Sequence, residues 1–188
     1  SKRGGYRTLL NNPDNQQVNA LFAFPHQDGT TVQLYRASGS LLYYSLQGTA
    51  NWAIAQGSAG TADAGGTIIN GNYVDSAILN GVMIIADGGT TRHTTNGTQF
   101  LNTPLAPVNG QYLTQYHNRI YSASGTDSTL TYSSYGSADN WAIAVPADSS
   151  SFTVPNEGAI TKPFVAGDRL NIPNNKGKMF NWDDNTLV

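Results

Sequence analysis

The sequence predicts an all-β fold assembled from repeated antiparallel units, and three observations carry that prediction. The first is an internal repeat: Leu41–Ala55 (LLYYSLQGTANWAIA) returns 89 residues later as Leu130–Ala144 (LTYSSYGSADNWAIA), identical at eight of fifteen positions when aligned without a gap. Two of the chain's three tryptophans, Trp52 and Trp141, fall in the same pentapeptide Asn-Trp-Ala-Ile-Ala. The second is composition. There is one glutamate, Glu157, against eleven aspartates, with abundant Gly, Ser, Thr and Asn and no sustained helical spacing of apolar residues. The third is punctuation: Asp-Gly and Asn-Gly pairs recur between short β-rich runs, as tight hairpins require.

The repeat spacing sets the size of the unit. Two strand-rich units in 89 residues give about 45 residues each, the scale of a propeller blade. The expected architecture is therefore a β-propeller-like array of short antiparallel meander blades, roughly four of them, the low end for a closed ring. It would be either a small complete ring or part of a larger one. The chain reads as one domain, 1–188, with blades at 6–57, 58–110 and 111–157 and a partial blade at 158–188. Within each repeat copy, Trp52 and Trp141 are expected to be packing anchors, each burying about 150–250 Å². Tyr43 and Tyr132 align as the strand anchors that accompany them.

Taken in order, Thr8–Leu10 reads as a first short strand and Val18–Phe24 as a strong one, stopped by Pro25. Asp28-Gly29 turns the chain into Thr31–Tyr35, and the first repeat copy follows. Residues 56–67 are rich in Gly and Ala with no apolar pattern and read as a long loop or a crossing between blades. Ser76–Leu79, Asn80-Gly81 and Val82–Ala86 form the clearest hairpin, continued through Asp87-Gly88 into Thr90–Thr94 and through Asn96-Gly97 into Thr98–Leu101. Tyr112–Tyr116 and Arg119–Ala123 flank His117-Asn118 and lead to the second copy. Phe152–Val154, Ala159–Pro163, Arg169–Ile172 and Lys178–Trp182 read as four further strands.

Only 12% of residues are charged and the net charge is −2, which argues against sequence-specific nucleic-acid binding and against a polybasic membrane contact. No apolar run approaches the roughly 18 residues of a membrane span. Without cysteine there are no disulfides, thiolate metal sites or cysteine nucleophiles. His26, His93 and His117 lack metal-ligand spacing, and no nucleophile elbow or phosphate loop is present. Asp183-Asp184 would point to opposite strand faces and makes a poor carboxylate pair. The expectation is a protein without catalytic residues, metal or cofactor.

At the second copy a resemblance emerges. Tyr116-His117-Asn118-Arg119-Ile120-Tyr121, Leu130-Thr131-Tyr132-Ser133, Asn140-Trp141, Gly158-Ala159-Ile160-Thr161 and Arg169-Leu170 follow one another in an order that resembles β-propeller structural proteins of tailed bacteriophages, of the podovirus tail-nozzle or packaged-DNA stabilisation type. The opening Arg3-Gly4-Gly5-Tyr6-Arg7 resembles the segment that leads such chains into their first blade. The resemblance implies a non-enzymatic virion protein of a tail or neck, located in the host cytoplasm during assembly, that associates with copies of itself and with neighbouring tail proteins. Such relatives usually run to several hundred residues. An open blade exposes strand edges that invite pairing, so a second polypeptide completing the propeller is a further expected partner. Candidate interface residues are Arg3, Arg7, Lys178, Trp182, Leu187 and Val188. The alternative reading is a carbohydrate-binding or adhesin propeller, in which the ten tyrosines and the tryptophans would serve a receptor surface.

Overall fold

The computed structural model describes residues 15–47, 49, 51–57, 65–69, 71–142, 149–154 and 158–182. Within them the chain is all-β, with no helix. The strands, in order, are β1 (Val18–Pro25), β2 (Val32–Ser38), β3 (Leu41–Leu46), β4 (Ala53–Ile54), β5 (Asp75–Leu79), β6 (Val82–Ala86), β7 (Arg92–Thr94), β8 (Leu101–Asn102), β9 (Tyr112–Tyr116), β10 (Arg119–Ala123), β11 (Thr129–Tyr132), β12 (Ser150–Thr153), β13 (Phe164–Ala166), β14 (Arg169–Pro173) and β15 (Met179–Trp182). They form four antiparallel sheets: β1 to β4, β5 to β8, β9 to β12 and β13 to β15. Every sheet is a meander in which each strand pairs with its sequence neighbours.

Turn chemistry explains why these strands pair locally. Asn80 and Gly81, between β5 and β6, both have positive φ (51° and 77°), as do His117 and Asn118 between β9 and β10 (41° and 60°). Two consecutive left-handed residues give the turn whose twist matches the flanking strands. The β1–β2 connection is longer. There Asp28 accepts hydrogen bonds from the Thr31 hydroxyl (2.5 Å), the Thr31 amide (2.8 Å) and the Thr30 amide (2.9 Å). Those donors, the Thr31 hydroxyl first, hold its carboxyl down at about 2.

Alternation along the strands sorts side chains to two faces, and three cores form between consecutive sheets. The first joins Phe24, Tyr35, Ala37 and Leu42 of the first sheet to Met83 and Ile85 of the second, with Val74 and Phe100 between them. The second joins Ala77, Leu79, Ile84 and Ala86 to Leu113, Ile120 and Trp141. The third joins Tyr116, Tyr121, Ala123 and Leu130 to Leu170 and Ile172, with Phe180 and Trp182 at its edge. The second sheet is covered on both faces, which is why β6 (Val-Met-Ile-Ile-Ala) reads as a continuous apolar run rather than an alternation. The leading strands also touch in series, β1 with β5, β5 with β9 and β9 with β13.

Two sequence expectations are corrected here. Ala159–Pro163 is not a strand. Ile160 makes only an isolated bridge to Asn174, and the strand proper is β13, beyond Pro163. Pro163 carries no amide hydrogen and interrupts the ladder at that point. The repeat register also shifts by one residue. In the first sheet Ala37 faces Leu42 and Tyr35 faces Tyr44; in the third, Ala123 faces Leu130 and Tyr121 faces Tyr132. The partner of Tyr132 is thus Tyr44, not Tyr43, and Leu-x-Tyr-Ser (Leu42–Ser45, Leu130–Ser133) is the shared strand. Pairing partners decide equivalence, and the extra residue of the second copy sits in the loop before Asn140-Trp141. The strand Thr8–Leu10 lies outside the described residues.

Candidate functional site

The two repeated Asn-Trp-Ala segments end in different surroundings. Trp141 is 3% exposed and sits in the core between the second and third sheets. Its indole N–H donates to the Ala138 carbonyl at 3.0 Å, which satisfies the one polar group of the ring. Trp52 is half-buried and lies on the face of the first sheet that points away from the second. In that sheet Leu21 faces Arg36, Arg36 faces Tyr43 and Tyr43 faces Ile54, so these side chains share one face. The Arg36 guanidinium lies 4.9 Å from the Tyr43 ring centroid and 5.3 Å from that of Trp52, within cation–π range of both. Arg36 and Tyr43 are buried by this stacking, while Leu21 is 71% exposed. Beside them runs an apolar groove of about 500 Å³ lined by Val18, Leu21, Ala23, Leu34, Arg36 and Trp52.

The topological use of the repeat differs as well. In the first sheet the pentapeptide supplies the outermost strand, β4. In the third sheet that place is taken by β12, and Ala142 is not in a strand. Tyr132 is half-buried between Tyr121 (ring centroids 5.6 Å apart) and Arg119 (5.1 Å from the ring).

Two polar clamps that sequence reading overlooked hold the sheets in place. Arg92, 1% exposed, donates to the carbonyls of Gly65 (3.1 Å) and Thr67 and to Asp87 at 2.9 Å. Asp87 in turn accepts from the amides of Ile69 (3.0 Å) and Gly89 (3.0 Å). Burial pulls the Arg92 guanidinium below its ordinary value, against the opposing pull of Asp87. The signal in the sequence was a charged residue on a core-facing strand position, five residues after an aspartate across an Asp-Gly-Gly turn. The second clamp is Asp75, at the start of β5. It accepts from the Leu113 amide (3.0 Å) of the third sheet and from Lys162 (2.9 Å), which leads into the fourth. Lys162 also donates to the Tyr73 hydroxyl at 3.3 Å.

Burial lowers the Lys162 ammonium, but the hydrogen bond and charge of Asp75 outweigh it, and the group is raised above 10.5. A cation with a raised folded value contributes stability that is complete below the unfolded value and is lost as pH climbs through the folded one. The difference in melting temperature between wild type and Lys162→Met should therefore be constant from neutral pH to about 10 and vanish above that. Because Lys162 is half-exposed, the effect should be at most about 1 kcal/mol. A difference that instead disappears between pH 5 and 8 would show that this pair contributes nothing.

The remaining candidates fall as follows. Trp182, a candidate interface residue, is half-buried and stacks on Phe152 (centroids 4.6 Å apart, 12° between planes) at the edge of the third core. Leu170 and Ile172 draw it inward, because it alternates with Met179 and Asn181 along β15. Lys178 is exposed, and its amide donates to Asn174 at 2.8 Å. Arg3, Arg7, Asp183, Asp184, Leu187 and Val188 lie outside the described residues. His26 packs beside Phe24, His117 stacks on Tyr116, and His93 lies 3.9 Å from Asp139. Among the described residues no three His, Asp or Glu side chains are grouped to hold a metal ion, and no helix is long and apolar enough to cross a membrane. No protein-family profile matches the chain, and no curated protein matches it significantly.

Proposed function

We propose that this chain is a non-enzymatic structural module of a bacteriophage tail or neck, working as an arc of propeller blades that assembles with other copies and with neighbouring virion proteins. The observation that carries the reading is the series of meander sheets, packed face to face through three apolar cores with their leading strands in a row. That is how blades are arranged around a propeller axis. The motif order from Tyr116 to Leu170 supplies the phage context. The test is mass spectrometry of gradient-purified particles from a phage that carries the gene. The chain should be present at a fixed ratio to the other tail proteins, and its absence from intact virions would refute the proposal.

One observation favours a second reading, a carbohydrate-binding propeller: the half-exposed Trp52 beside an open groove. Arg36 already lies over that ring, so a sugar would have to stack on what remains. Glycan-array binding abolished by Trp52→Ala would favour this reading.

A further inference from the structure

The internal repeat provides a comparison inside one molecule. In the third sheet, the face that carries Ile120 and Trp141 is covered by the second sheet, through Ala77, Leu79, Ile84 and Ala86. In the first sheet, the corresponding face carries Leu34 and Trp52, and among the described residues no sheet precedes it. It exposes Leu21, Ala23 and Ile54. At the other end of the series, the fourth sheet covers the third with Leu170 and Ile172, and among the described residues no sheet covers its opposite face. Register places Phe164 and Ala166 of β13 beside Asn171 and Arg169 on that open face, with Met179 of β15, 53% exposed, on the same side. Among the described residues the two open faces are the two ends of one series of sheet-to-sheet interfaces.

We infer that the Trp52 face of the first sheet is a docking surface for the Phe164–Met179 face of the fourth sheet of a second copy of this chain. The contact would be head to tail and would continue the interface series from one molecule to the next. Three features point to this occupant. The same Asn-Trp-Ala segment is already covered by a sheet face within this chain. In each of the three interfaces present, the later sheet of a pair covers the face of the earlier one. Among the described residues, the fourth sheet is the one whose forward face remains uncovered. A head-to-tail contact of unlike faces builds a closed ring or an open filament, according to the rotation between copies. The inference rests on the blade-array reading proposed above, and it adds the surface and the partner.

The natural chain has no cysteine, so engineered thiols report the contact without background. Leu21→Cys and Met179→Cys, each in the full chain, should form a disulfide-linked dimer under mild oxidation when mixed, and neither should do so alone. A double variant should give multimers or covalently closed rings. Leu21→Asp should abolish association of the otherwise native chain in light scattering while leaving the monomer's melting temperature within about 2 °C, because the side chain is largely in solvent. A Leu21→Cys chain that pairs with itself as readily as with the Met179→Cys chain would overturn the head-to-tail contact. So would a wild-type chain that stays monomeric at millimolar concentration. Either result, obtained with Trp141 still shielded from aqueous quenchers, would sink the docking surface and leave the blade array intact. An exposed Trp141 would instead sink the array itself.

Discussion

Replacing Arg92 by alanine is expected to destabilise the chain by about 3–5 kcal/mol, the cost of breaking a buried ion pair by removing one partner. Arg92 is almost entirely buried and joins three acceptors: Asp87 and the carbonyls of Gly65 and Thr67. Those two carbonyls belong to the segment that leaves the first sheet and enters the second. That segment is fixed to β3 by the Leu42 amide on Gly66 (2.7 Å) and to the turn before β3 by the Ile68 amide on Ser40 (2.9 Å). Without the guanidinium, the Asp87 carboxylate keeps its amide donors but loses its counter-charge, and two carbonyls lose a donor. Urea unfolding monitored by tryptophan fluorescence measures the loss. A paired change, Arg92→Met with Asp87→Asn, should recover much of the stability, since apolar or neutral replacements of both partners avoid the orphaned charge. A single Arg92→Ala variant within about 0.5 kcal/mol of wild type would show that the clamp does not hold the crossing segment.

The second large effect separates the two repeated tryptophans. Trp141→Ala should cost about 3–5 kcal/mol, as for a large aromatic truncated inside a core. The ring shares a core with Ala77, Leu79, Ile84 and Ala86 of the second sheet, and its indole N–H is already satisfied. Trp52→Ala should cost only about 1–2 kcal/mol in the isolated chain, since the ring is half-buried and its stacking on Arg36 is one cation–π contact. Acrylamide quenching of the two single variants provides an independent reading. The variant that keeps Trp141 should be quenched less than the one that keeps Trp52. Equal costs for the two substitutions would mean that the repeats occupy equivalent environments and that the first sheet is covered in the same way as the third.

What the sequence determined by itself was local. Strand composition and Asn-Gly or Asp-Gly turns pointed to the meanders, because in a hairpin the pairing partner is the next strand along the chain. Tyr112–Tyr116, Arg119–Ala123 and Val82–Ala86 were read with their observed bounds. The repeat was visible too, since identity at eight of fifteen positions needs no structure to detect. Tertiary structure decided everything that depends on which face meets which sheet. A one-residue loop insertion shifts a gapless alignment while the ladder keeps Tyr44 equivalent to Tyr132, because hydrogen-bond register outranks residue identity. The same Asn-Trp-Ala segment leads into an outer strand in one sheet and carries a buried Trp141 beside another, because burial depends on the neighbour and not on the segment. Of the two clamps only the Asp87–Arg92 spacing was local; the Gly65 carbonyl that Arg92 also holds lies 27 residues away and the Lys162 that Asp75 holds lies 87 residues away, beyond the reach of any local pattern.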